Sequence, residues 1–241
     1  FVGAEATQLT EPIQGLNLNG DNTLYLRARD IALSESDVDT SKTFFVTNQN
    51  SDLVVIKAHA SGGTVTPEDV LLPNISTVYS NGFDFLDLFS NNGSNQPLLW
   101  NPTLTKALDF YDKIVWYAGA GEDEYGILEL ASVPVQEFLN AGGKLMVTTG
   151  FPSTFDNTSV VLEFTPVDSI STSPGQARLP TNNRVYPNPA FSNYDSLAAS
   201  EFIAGSTPMY VKPTAESMFK GDIVITGNWV GPDDFGARST N

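Results

Sequence analysis

At 241 residues the chain is long enough for one large domain or two modest ones. A formal charge of −16, from only 12 basic residues, argues against a nucleic-acid backbone as partner, because phosphate contacts need clustered Lys and Arg. The absence of cysteine removes disulfides, thiolate metal sites and a cysteine nucleophile together.

No apolar run approaches the roughly 20 residues that cross a bilayer, so no transmembrane segment is expected. The opening FVGAEATQLT lacks the charged start and apolar middle of a signal peptide. Sparse lysine with abundant Asn, Thr, Ser and Gly leans toward an exported protein, secreted, periplasmic or at the cell surface, lipid-anchored or free, whose signal lies outside this sequence.

Residues 1–48 read as a short antiparallel β segment. Leu16-Asn17-Leu18 precedes Asn19-Gly20-Asp21-Asn22, which is hairpin-turn chemistry. Leu24, Leu26 and Ala28 then alternate with Tyr25, Arg27 and Arg29, the period of a half-buried strand. A third strand is expected over 43–47, after the polar stretch 34–42. Asn48-Gln49-Asn50-Ser51-Asp52 reads as a linker, dividing the chain into domains 1–48 and 49–241.

The second domain reads as α/β, a mostly parallel sheet flanked by helices. Its first buried strand is Leu53-Val54-Val55-Ile56-Lys57-Ala58, ending at His59. Thr66-Pro67-Glu68-Asp69 opens a helix with Thr66 as N-cap, and Pro73 implies that this helix is short or broken. A second strand is expected over 83–88 and a short helix from Asn101-Pro102. The 111–150 stretch is one βαβ unit. Ile114-Val115-Trp116-Tyr117-Ala118 is a continuous apolar run suited to a strand covered on both faces. Helical spacing follows from Ile127 to Leu139, with a break expected at residues 131–133 and Ser132 as N-cap because of Pro134. Gly142-Gly143 stops the helix, and residues 144–148 return as a second buried strand. Beyond Gly150, residues 160–164 suit a strand or short helix. Residues 169–193 read as a surface excursion, 209–211 and 222–227 as strands, and 233–241 as a frayed end.

Two stretches resemble known families. Leu24 to Ala32, with Ser34 and Ser36 behind, resembles the closing hairpin of bacterial immunoglobulin-like modules, whose pattern "tyr-x-val-arg-ala-x-asp-x-ala-gly" has glycine where this chain has Leu33. Residues 50–230, most closely 111–150, resemble the class I glutamine amidotransferase-like (flavodoxin-like) fold of divergent exported type. There "tyr-asp-x-val-ile-trp-tyr-x-gly" precedes "phe-leu-x-x-gly-gly-lys-leu", matched here by Asp112 to Gly119 and Phe138 to Leu145. That family works through a cysteine, a histidine and a glutamate. With no cysteine, and with the single histidine after the first strand, its triad maps onto no residue here, so the resemblance implies a degenerate, non-catalytic domain.

Ligands of open α/β sheets bind outside the carboxyl ends of the strands. Four strands in the order 2-1-3-4 would open a crevice there, with His59 on its floor and Glu122, Asp123 and Glu124 at its mouth. Those three carboxylates suit a hard cation, calcium first, or a solvated loop beside a helix start; no other cofactor is implied. Ser153 after Gly150 is a serine that His59 could serve as base, although the local sequence is not G-x-S-x-G. Trp229, between Gly227 and Gly231, suits either packing or stacking on a sugar ring. The partner expected is a small molecule, a glycan or another protein. The reading is a binding or scaffolding protein, with a hydrolase using strand-end carboxylates or serine as the alternative.

Overall fold

The computed structural model describes residues 13–60, 66–89, 103–118, 125–151, 155–170, 184–198, 208–221 and 233–239. The chain divides into two compact units, Phe1–Asn50 and Ser51–Asn241.

The described part of the first unit holds short strands β1 (Gly20–Asn22), β2 (Tyr25–Leu26), β3 (Asp39–Thr40) and β4 (Phe44–Val46). They pair antiparallel, β1 with β4 and β2 with β3. The expected turn at residues 19–22 is displaced: Asn19 takes φ 57°, and Gly20 to Asn22 already run as strand. The Asn22 side chain closes the turn, accepting from Asn17 N–H at 2.6 Å and donating to the Asn17 carbonyl at 2.9 Å. The polar stretch 34–42 is the returning arm of a hairpin that begins at Leu24. Ser36 N–H donates to the Ala28 carbonyl, Arg29 bridges Glu35, and Ser41 N–H donates to the Leu24 carbonyl. Leu33 sits in its turn at φ 67°, a left-handed position that favours glycine. Tyr25 and Leu26 are both exposed, so the alternation buries neither face; a two-stranded ribbon offers too little apolar area to form a core of its own.

In the second unit, β5 (Leu53–Lys57), α1 (Pro67–Val78), β6 (Asp84–Asp87), α2 (Thr103–Leu108), β7 (Lys113–Tyr117), α3 (Tyr125–Leu130), α4 (Ser132–Asn140) and β8 (Lys144–Thr148) build a parallel sheet with helices on both faces. The strand order β6-β5-β7-β8 is the expected 2-1-3-4. Alternation along the strands divides the core. Val54, Ile56, Ile114 and Trp116 pack with Leu104, Leu108, Leu128, Val135 and Phe138 of α2, α3 and α4. Leu53, Val55, Val115 and Tyr117 pack on the other face with Leu71, Leu72, Ile75 and Tyr79, supplied by α1 and its C-cap. β8 is not buried on both faces as its sequence suggested. Leu145 and Val147 meet the first core, but Met146 on the α1 side is 56% exposed, because this strand is the sheet edge.

Pro73 does not end α1, which runs through it for twelve residues. Polar side chains around it bond back along the helix, Asn74 to the Val70 carbonyl, Ser76 to Leu72 and Thr77 to Pro73. The break before Pro134 falls at Ala131, which takes the N-cap position in place of Ser132. Pro134 thus lies in a first turn, where a missing N–H costs nothing. At the exit of α4, Gly143 N–H donates to the Phe138 carbonyl and Gly142 N–H to the Leu139 carbonyl, with Gly142 at φ 95°. This is the Schellman arrangement. A Cβ on Gly143 would lie 2.3 Å from the Phe138 ring, so both glycines have a steric reason.

The remainder departs from the expected fold. After α5 (Val161–Phe164), strands β9 (Val167–Ile170), β10 (Arg184–Pro187), β11 (Leu197–Ala198), β12 (Met209–Val211), β13 (Ala215–Gly221) and β14 (Asp234–Ser239) enter a second sheet. It has six strands, all antiparallel, in the order β11-β10-β13-β14-β12-β9. Among the described residues the fold is therefore mixed α/β, with a four-stranded parallel and a six-stranded antiparallel sheet in place of a mostly parallel one. The end expected to fray is β14, held by its ladder to β13 and by Arg238 donating to Glu216. Of residues 169–193, 169–170 belong to β9 and 184–187 to β10, while 171–183 lie outside the described residues, as does the strand expected over 222–227. Among the described residues no helix is long and apolar enough to cross a membrane.

Candidate functional site

The parallel register sets one row of residues across the carboxyl ends of the sheet: Asp87 on β6, Lys57 on β5, Tyr117 on β7 and Thr148 on β8. His59 follows two residues after Lys57, and the crossover returns through α1, whose first turn carries Glu68. Sequence fixes that turn. Pro67 takes the first helical position, where its absent N–H is harmless, and Asp69 accepts from both the N–H and the hydroxyl of Thr66. Carboxylates at this end also meet the positive pole of the helix.

These elements assemble a buried charged cluster. Lys57 Nζ, its side chain 8% exposed, lies 3.0 Å from Glu68 Oε1 and 3.3 Å from Asp87 Oδ2. Glu68 Oε2 reaches back to His59 Nε2 at 3.2 Å, and the Ala60 carbonyl lies 2.9 Å from His59 Nδ1. Asp87 also accepts from Phe89 N–H at 2.9 Å. The His59 and Tyr117 rings are 5.6 Å apart. The Tyr117 hydroxyl is wholly buried with no partner in hydrogen-bond geometry among the described residues, although the Glu68 carboxylate is close enough to act on it.

Burial alone would push the Glu68 carboxyl up. The bond from its own backbone N–H, the Lys57 ammonium, Thr66 and the nearby His59 ring outweigh it and hold Glu68 at about 2. Burial likewise pulls Lys57 down, and Glu68 and Asp87 more than restore it, leaving the ammonium above its usual range. Tyr117 is driven up by burial first, then by the charge of Glu68 and Asp87. Glu68 and Lys57 thus hold one another in their charged forms, with a neutral phenol beside them.

Both ring nitrogens of His59 face acceptors, a carbonyl and a carboxylate. Both contacts are hydrogen bonds together only when the ring carries two protons. In this arrangement neither nitrogen is left to take a proton from a nucleophile, which a general base must do.

A second polar group fastens the opposite end of the sheet. Asp52, just before β5, accepts from Lys113 of β7 and from the Tyr79 hydroxyl at the C-cap of α1. Lys113 also donates to the Tyr79 oxygen at 3.1 Å. The hydrogen bond from Lys113, then that from Tyr79, holds the Asp52 carboxyl below its usual range. Helix α1 is therefore tied to the sheet by ionic groups at both of its ends.

Of the residues proposed from sequence, the structure places His59 at the strand ends, buried and paired. Glu122, Asp123, Glu124, Ser153 and Trp229 lie outside the described residues. Among those described, no group of three or more His, Asp or Glu side chains is arranged to hold a metal ion. Lys57, Glu68, Asp87 and Tyr117 were not singled out from the sequence. The signal available was Lys57 itself, a charge inside the apolar run of a central strand, which burial obliges to find partners. Compared with protein-family models, with characterised proteins and with solved structures, the chain matches none.

Proposed function

We propose that this chain is a non-catalytic binding or scaffolding module, exported or displayed at a bacterial cell surface, with a degenerate amidotransferase-like α/β domain behind the end of an immunoglobulin-like one. The observation that carries the non-catalytic reading is the pairing of His59. The only histidine of the chain is held between Glu68 and the Ala60 carbonyl, and the adjacent lysine is shared by two carboxylates. A site built for amide hydrolysis through a covalent intermediate, as in the amidotransferases, keeps a thiol or hydroxyl next to a base with a free nitrogen. This sequence has no thiol, and its imidazole is engaged on both sides. Four parallel strands in the order 2-1-3-4 support the amidotransferase-like reading, and the 24–41 hairpin supports the immunoglobulin-like one. The ligand in this reading is a glycan or another uncharged polar molecule approaching the strand ends, whose charges are already compensated within the protein. The acidic triplet 122–124 is the sequence feature suited to calcium in this reading.

The test is direct. Purified protein incubated with glutamine, and separately with ester and glycoside substrates, should release no product above a heat-killed control. Turnover abolished by His59→Ala or Ser153→Ala would replace this reading with the hydrolase one. Retention on immobilised polysaccharide that is competed by free sugar would support the glycan branch, and no retention would leave protein scaffolding as the reading.

A further inference from the structure

We draw no further inference here: the strongest candidate, the half-exposed Tyr194 ring beside the Phe191–Arg238–Glu216 stack on the antiparallel sheet, is accounted for by the packing of that face, and nothing in the structure shows what covers it.

Discussion

Replacing Glu68 by glutamine removes one charge from the strand-end cluster and almost no volume. The fall of the Glu68 carboxyl from 4.5 to about 2 measures how much better the folded protein holds its ionised form. At about 1.4 kcal/mol per pH unit that is at most about 3.5 kcal/mol. The side chain is 16% exposed and glutamine keeps some of the hydrogen bonds, so a loss of about 1–3 kcal/mol is expected at neutral pH. For a unit of this size the melting temperature should drop by roughly 2–10 °C. The sign of the pH dependence follows from the direction of the shift. A depressed carboxyl contributes stability that is complete above its unfolded value and is lost as pH falls through the folded one. The gap between wild type and Glu68→Gln should therefore be constant above about pH 5 and close progressively toward about pH 2. Urea unfolding at several pH values, followed by tryptophan fluorescence, reads both quantities. A gap that stays the same from neutral pH down to about pH 2.5 would show that the carboxylate is not held by Lys57 and His59 as described.

Three further outcomes are expected. Lys57→Met should cost more than Glu68→Gln, about 3–5 kcal/mol at neutral pH, because it leaves Glu68 and Asp87 facing each other without their shared cation. The variant should regain stability on acidification as the carboxyls take up a proton, and a denaturation midpoint insensitive to both mutation and pH would refute the pairing. Tyr117→Phe deletes a buried hydroxyl that has no partner in good geometry among the described residues, so stability should hold or rise by up to about 1 kcal/mol; a loss of stability in thermal melts would mean the hydroxyl is bonded. Leu33→Gly relieves a left-handed backbone at an exposed side chain and should stabilise the N-terminal hairpin by about 1 kcal/mol, read as slower amide exchange at Asp30 and Ser34. Faster exchange there would show that the leucine side chain contributes more than its strain costs.

The parallel sheet was legible because its central strands are written in continuous apolar residues. Leu53 to Ile56 and Ile114 to Tyr117 are buried on both faces and leave little else for those segments to be. The helix stops at Gly142-Gly143 and the interruption before Pro134 were legible for the same reason, since each follows from local sterics. The antiparallel sheet was not. β13 reads AESMFKG and β14 DFGARS, half-exposed segments whose pairing comes from partners far along the chain, and β14 even looks like a polar tail. Pro73 misled in the opposite direction, because the apolar contacts of Leu71, Leu72 and Ile75 with the sheet outweigh one lost hydrogen bond. The site was half legible. His59 was placed at the strand ends, but its partner Glu68 was read only as part of a helix start, and Asp87 only as a position in the strand expected over 83–88. Their meeting depends on the β5–α1–β6 crossover, which spacing along the chain does not reveal.

His59 also gives the molecule a built-in spectroscopic label. A chain with one histidine yields one pair of ring-nitrogen resonances, without mutation or selective labelling. That residue is 3% exposed, and its ring stands between the end of β5 and the first turn of α1, in the middle of the charge cluster. Its nitrogen shifts would report directly how many protons the ring carries and whether Glu68 is still beside it. Any molecule that settles at the strand ends, or any movement of α1 away from the sheet, must pass through that single signal. A ligand screen can therefore be run on the native sequence, with the position of binding read at the same time as the fact of it.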